Sequence, residues 1–396
     1  MTRFSRVLSL MFLLTGIVSL CLPAEAAQQQ INSGTRLLCL NVGKADCMLL
    51  WADDRVYLID TGYEHTYPVL ETAFDAFGIT HLDGVFLTHV HQDHDGGLEK
   101  LSESNISVGA WYAAAIYYDS KPTKHAMYKA ASNRGQNVTW LESGDVIQIS
   151  DSASFQVLGP VRTNTDNENN NSLVMRFSSP DGSILFCGDM KEEEEADLLA
   201  DGLLAPCDIL KVGHHGDNKA TTKALLDAVR PKTAVISTSS IEETDTPARA
   251  TLSRLNAAGA DIYVTQDAQD GLIFILNEGN ITAQDFSWAH IPPRAEGLIA
   301  SIQVRNDVYI IKNTSSKPIT LTGAYLYSSK GNDVFSLPDI SLGSGEQYVI
   351  GSEKSTVPCD YVAQKKRLWH DEDRDVGILY DAYGRILCGT DNGILE

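Results

Sequence analysis

Positive charge is scarce in this chain: 31 lysines and arginines stand against 52 aspartates and glutamates, and the formal net charge is −21. A long polyanion is held mainly by basic residues that displace counterions, so the composition argues against extended nucleic acid as a partner. No basic patch with interleaved aromatics stands out. Cysteine is also spare. The seven thiols show no C-x-x-C spacing, which excludes a zinc knuckle and a dense disulfide framework. Tandem repeats and low-complexity tracts are absent. Beyond residue 26 no apolar run is long enough for a membrane-spanning helix.

The one long apolar run, Val7 to Leu22, follows Arg3 and Arg6 and precedes Ala24-Glu25-Ala26, small residues at the two positions a signal peptidase reads. Residues 1–26 are expected to be a signal peptide, and the protein to be secreted or cell-surface associated. Leu20 is too large for the residue before a lipidated Cys21. Cleavage removes Arg3, Arg6 and Glu25 and moves the formal charge from −21 to −22. Six cysteines remain, mostly in apolar strand-like runs where a thiol behaves as a small hydrophobe. Cys359 and Cys388 are the pair expected to bridge, if any does.

What is present is histidine in clusters. Thr88-His89-Val90-His91-Gln92-Asp93-His94 follows the apolar run Val85-Phe86-Leu87. His89 and His91 stand two apart, so extended backbone turns both rings to one side, and Asp93 and His94 reach the same space from the following turn. Imidazole with carboxylate suits zinc first, with manganese or iron as alternatives. Ser183 to Asp189 reads as a strand ending in a carboxylate, and Asp208 to Gly216 as a strand ending in His214-His215-Gly216. Five of the ten histidines thus lie at two strand ends.

These residues resemble the metallo-β-lactamase fold hydrolases, and within them the branch typified by the extracellular domain of the competence protein ComEC. The likeness runs from about Thr35 to Asp285. It rests on Asn41-Val42-Gly43-Lys44-Ala45-Asp46-Cys47, Leu58-Ile59-Asp60-Thr61-Gly62, the His89 cluster, Asn169-Asn170-Asn171-Ser172-Leu173-Val174, Cys187-Gly188-Asp189 and Lys211 to Gly216. The resemblance implies an αββα sandwich holding two divalent metals. It makes His89 and His91 ligands of one metal, Asp93 and His94 ligands of the other, and Asp189 the bridge. His215 is preferred over His214 to complete the second site, with His214 facing substrate; the reverse order stays open. The superfamily's further first-site histidine has no counterpart except His125, which lies in an ordinary amphipathic helix pattern, so Asn171 or Ser172 is expected to line that site. Asp60 is read equally as a carboxylate that orients a ligand histidine or as a turn residue. Asp217 follows Gly216 where the family often has serine, and Thr246-Pro247 stands where it has His-Pro.

Two metals sharing a water and clamping substrate oxygens suit hydrolysis of a phosphodiester. Asp93, Asp189 and His214 are the residues expected to act in it. The acidic charge favours a small or surface-displayed diester. A β-lactam, amide or ester substrate is the second reading, and a non-catalytic adhesion protein with a structural metal the third.

A mature length of about 370 residues implies two domains. In the first, at residues 35–286, Arg55 to Ile59, Phe155 to Leu158 and Ala234 to Ser237 read as strands, and Pro68 to Phe77 and Thr221 to Val229 as helices. Ile262 to Thr265 and Leu272 to Leu276 read as a final strand pair joined through Asp270-Gly271. Residues 287–297, with Pro292-Pro293, read as a linker. From residue 298 to 396 short β runs alternate with turns: Val308 to Lys312, Ile319 to Leu321, Gln347 to Ile350 and Gly377 to Tyr380. That spacing predicts a β-sandwich. The segment resembles the immunoglobulin-like lamin tail domain, through Val308 to Asn313, Leu321-Thr322-Gly323-Ala324, Leu368-Trp369 and Leu379 to Gly384. It is expected to grip a cell-surface or protein partner, with Trp369 in its core.

Overall fold

The strands described between residues 34 and 286 fall into two stacked sheets, apart from the small pair His81–Leu82 and Ser107–Val108. The computed structural model describes residues 34–117, 122–369 and 373–393; the expected signal peptide lies outside them. One sheet has eight strands in the order Asn280–Phe286, Gly271–Asn277, Thr35–Leu40, Cys47–Ala52, Arg55–Thr61, Gly84–Leu87, Trp111–Ala114 and Val138–Leu141. The other has seven: Asp261–Val264, Thr233–Ile236, Ile209–Lys211, Gly182–Phe186, Val174–Ser179, Ser154–Gly159 and Val146–Gln148. Leu37, Leu50, Phe86, Phe155, Phe177 and Phe186 fill the space between the sheets. The alternate residues Leu38, Leu49, Leu58 and Val85 face outward onto Leu70 and Phe74 of the helix Tyr67–Phe77. Strands buried on both faces read as unbroken apolar runs for that reason. Helices Glu192–Ala200, Lys223–Val229 and Arg249–Ala257 cover the second sheet through Leu198, Leu225 and Leu255.

Each sheet contains a parallel half, Arg55–Thr61 to Val138–Leu141 in one and Gly182–Phe186 to Asp261–Val264 in the other. Loops leaving the carboxyl ends of parallel strands are where α/β sheets gather functional groups, and Asp60, His89, Asp189, His214 and Ser237 all lie at such ends.

The expected final pair is not a pair. Asp261–Val264 is the edge of the seven-stranded sheet, whereas Gly271–Asn277 pairs with Thr35–Leu40 in the eight-stranded one. The hairpin partner of Gly271–Asn277 is Asn280–Phe286. Its turn has Glu278 at φ 49° and Gly279 at φ 78°, two left-handed residues whose twist suits a two-residue hairpin.

Among the described residues from 298 to 391 the regular structure is β apart from the short helical turn Val304–Asn306, with sheets of four, two and four strands around Tyr309, Leu326, Leu379 and Trp369. Trp369 is 2% exposed, and a Cβ on Gly377 would stand 2.5 Å from its ring. Residues 287–297 do not span open space. Trp288 is buried against Phe77 and Phe286, its backbone N–H donates to Asp270 at 2.9 Å, and Arg385 reaches both Asp270 and the Pro292 carbonyl. Cys359 and Cys388 are free thiols, as are the other four described cysteines. Cys388 is buried in the module core beside Tyr309, while Cys359 donates to the Val357 carbonyl. Lys354, Lys365, Lys366 and Arg367 line a cavity of about 410 Å³ in this module, with Asp333 as their carboxylate neighbour. No helix among the described residues is long and apolar enough to cross a membrane.

Candidate metal centre

Asp189 sits 1% exposed between two groups of side chains. Its Oδ1 faces His94 Nε2 at 3.3 Å and His215 Nε2 at 3.4 Å. Asp93 Oδ2 lies 3.3 Å from the same His215 nitrogen, and Asp93 Oδ1 is 4.0 Å from His94 Nε2. Ligand atoms about 2.1 Å from a shared tetrahedral cation stand roughly 3.4 Å apart, so these four donors have the spacing of one coordination shell. His94 Nε2, His215 Nε2 and Asp189 Oδ1 are all buried without a hydrogen-bond partner. Buried polar atoms are rarely left so, and a divalent cation satisfies all three at once.

The far nitrogens of both rings are fixed. His94 Nδ1 meets Asp60 Oδ2 at 2.8 Å, and Asp60 is itself held by the Thr88 N–H at 2.7 Å and the Thr88 hydroxyl at 2.8 Å. His215 Nδ1 donates to the Ser237 carbonyl at 2.8 Å. Each bond fixes the ring's far side and aims Nε2 at the group. Behind them Asp46 Oδ2 pairs with Lys211 Nζ at 2.8 Å, both side chains fully buried. Asp189 would be pushed up by burial, but His215 and His94 hold it well below the usual carboxylate range.

The second group faces Asp189 Oδ2. His89 Nε2 and His214 Nε2 are each 3.7 Å from it, and His91 Nδ1 is 2.9 Å from His89 Nε2. Two ring nitrogens at that distance share a proton, so one donor of this group is engaged by another. Asn169 reaches His214 Nε2 at 3.2 Å. His89, His91 and Asp189 offer donors close enough to hold an ion, as do Asp93, His94, Asp189 and His215. The residues therefore fit two divalent cations with Asp189 between them.

His214 and His215 have φ of 43° and 53°, and Asp60 has φ of 57°. Non-glycine residues held in the left-handed region cost on the order of 1–3 kcal/mol each and cluster at functional sites. A cavity of about 470 Å³ opens beside the Gln92–Asp95 turn, lined among others by Tyr63, His65, Asp95, Lys129 and Asn332.

The structure brings together His89, His91, Asp93, His94, Asp189, His214 and His215, with Asp60 behind His94. Asn171 departs from its expected place: its amide turns away onto the Asn164 backbone, at 2.8 and 2.9 Å, and Asn169 takes the position beside His214. Ser172 accepts from the Asp189 N–H at 2.9 Å and so holds that residue's backbone. His125 packs against Tyr117 and Trp140, apart from the cluster. Asp46 and Lys211 were missed, although a lone acid and a lone lysine in apolar strand ends each need a buried partner of opposite sign.

The family model of the metallo-beta-lactamase superfamily matches residues 40–240, just over half of the chain. ComE operon protein 3 of Bacillus subtilis is 31% identical over 222 residues, which is 50% of this chain and 27% of that protein. Competence protein ComA of Neisseria gonorrhoeae is 27% identical over 249 residues, 62% of this chain and 33% of that one. The chain thus spans about a quarter to a third of the length of these relatives. The metallo-beta-lactamase fold protein YhfI from Bacillus subtilis is similar in structure, with a TM-score of 0.40 and 10% identity over 63% of this chain and all of that one. The chain belongs to the metallo-beta-lactamase superfamily.

Proposed function

We propose that the chain is a secreted, dinuclear metal-dependent hydrolase of phosphodiesters, with zinc as the metal and manganese or iron as alternatives. The observation that carries this reading is Asp189, whose two oxygens face two separate donor groups. Divalent cations held there would supply positive charge for substrate oxygens and a water acidified toward neutrality. The chain's own residues do the rest. Asp60 and Ser237 fix the His94 and His215 rings before substrate arrives. His214, 17% exposed in its side chain and steadied by Asn169, stands where it can donate a proton to a leaving oxygen. Competence proteins among the relatives favour a phosphodiester over a lactam. The net charge of −21 favours a small or surface-displayed diester, and the C-terminal module, read as lamin-tail-like, would place the enzyme on a surface or protein partner.

The test is hydrolysis of bis(p-nitrophenyl) phosphate by residues 27–396 loaded with zinc or manganese, beside Asp189→Asn. Turnover lost in the variant supports the reading. Two bound metals without turnover of the diester, together with nitrocefin cleavage, would replace it with the lactam reading.

A further inference from the structure

Glu242 joins three parts of the molecule. It lies half-buried in the loop after the strand Thr233–Ile236. One carboxylate oxygen accepts the backbone N–H of Lys44. The other accepts the hydroxyl of Tyr380 at 3.2 Å, from the C-terminal module's strand Val376–Tyr380. Gly43 is required at this turn twice over: its φ is +83°, and a Cβ there would collide with the Glu242 carboxylate. The module grips the same region elsewhere. Arg374 reaches the Glu242 carbonyl at 3.4 Å and Glu243 at 3.7 Å. His65 meets the Tyr380 hydroxyl at 3.2 Å and stacks on Tyr327 with ring centroids 3.8 Å apart.

The turn so held carries Lys44 to the edge of the metal cluster. Its ammonium is 4.0 Å from Asp93 Oδ2, and the side chain keeps 20% of its surface exposed. Lys211 differs: it is fully buried and spent on Asp46 at 2.8 Å and the Val212 carbonyl at 3.0 Å. Lys44 therefore sets a partly exposed positive charge beside Asp93, with a long ion pair that leaves its donors for another anion. We propose that Lys44 receives the anionic group of the substrate beside the metal cluster, and that the C-terminal module holds it there through the Tyr380–Glu242 contact. The assignment deepens the phosphodiesterase reading and rests on it. The module is then part of the active site as well as a means of attachment.

The experiment is calorimetric titration of the metal-loaded chain with inorganic phosphate, run beside bis(p-nitrophenyl) phosphate kinetics, metal content and melting temperature. Lys44→Gln is expected to weaken phosphate binding about tenfold or more and to raise KM with metal content kept. Lys44→Arg retains binding, and Tyr380→Phe weakens it about two- to threefold. Unchanged phosphate affinity in Lys44→Gln, or no phosphate binding by the unaltered protein, overturns the assignment. So does loss of metal with phosphate affinity intact, which makes Lys44 a support for Asp93 only. Tyr380→Phe indistinguishable from the parent removes the module's part. Phosphate bound through Lys44 with no diester turnover sinks the phosphodiesterase reading and leaves Lys44 as an anion site.

Discussion

The two sides of Asp189 are built differently. On the Oδ1 side, His94 and His215 are fully buried, each with its far nitrogen committed to Asp60 or Ser237 and its near nitrogen unpartnered. On the Oδ2 side, His89 and His91 bond each other at 2.9 Å, and His214 is partly exposed and held by an amide. On the first side the rings are oriented before any cation arrives. On the second, a cation must first displace a hydrogen bond between its own ligands. Metal affinity depends on how firmly outer partners fix the ligands, so the two sites are expected to differ in affinity, the weaker one lying toward substrate.

The largest effect should come from removing what the two sides share. Asp189→Asn is expected to lower hydrolysis by at least about 100-fold and to impair both metals, seen in metal content by atomic absorption; loss of only one metal would break the claim of a shared carboxylate. Next is the support behind the closed side. Lys211→Met leaves Asp46 buried and unpaired, which should cost about 3–5 kcal/mol, read from urea unfolding of the metal-free protein. A change under 1 kcal/mol would mean that Asp46 finds water instead. Asp60→Asn leaves one accepting oxygen where the Thr88 N–H and His94 Nδ1 each use one, and should weaken the tight metal about 10- to 100-fold while leaving the weak one in place, a selectivity that competitive chelator titration resolves.

The last effect, confined to acid pH, concerns the interface with the C-terminal module. Burial, with a lesser push from Lys100, lowers the His65 pKa from its ordinary 6.5 to about 3. The folded chain then keeps His65 neutral while the unfolded chain protonates it below pH 6.5, so this contribution is present above that pH. It is lost as pH falls from 6.5 toward 3, by at most about 1.4 kcal/mol per pH unit. His65→Gln should flatten the acid limb of the melting-temperature profile; an unchanged slope would assign that limb to other groups.

Much of this was legible because buried parallel strands write themselves as apolar runs with histidine or aspartate at their ends. Val85 to Leu87 before His89, and Ile184 to Phe186 before Asp189, are of that kind. Pairing between distant strands is not written locally: Asp261–Val264 and Gly271–Asn277 carry similar patterns yet belong to different sheets. The Asn169 to Asn171 tract does not reveal which amide turns inward, since that depends on the turn from Asn164. Tyr380 and Glu242 are 138 residues apart, and neither sequence neighbourhood hints at the other.

The most direct test of the two-sided centre is a zinc titration of the apo-protein against a competing chromophoric chelator, repeated with His215→Ala and His91→Ala. Two affinity classes are predicted, with the tight one lost in His215→Ala and the weak one lost in His91→Ala. A single class, or loss of the tight site in His91→Ala with the weak site kept, would contradict the account.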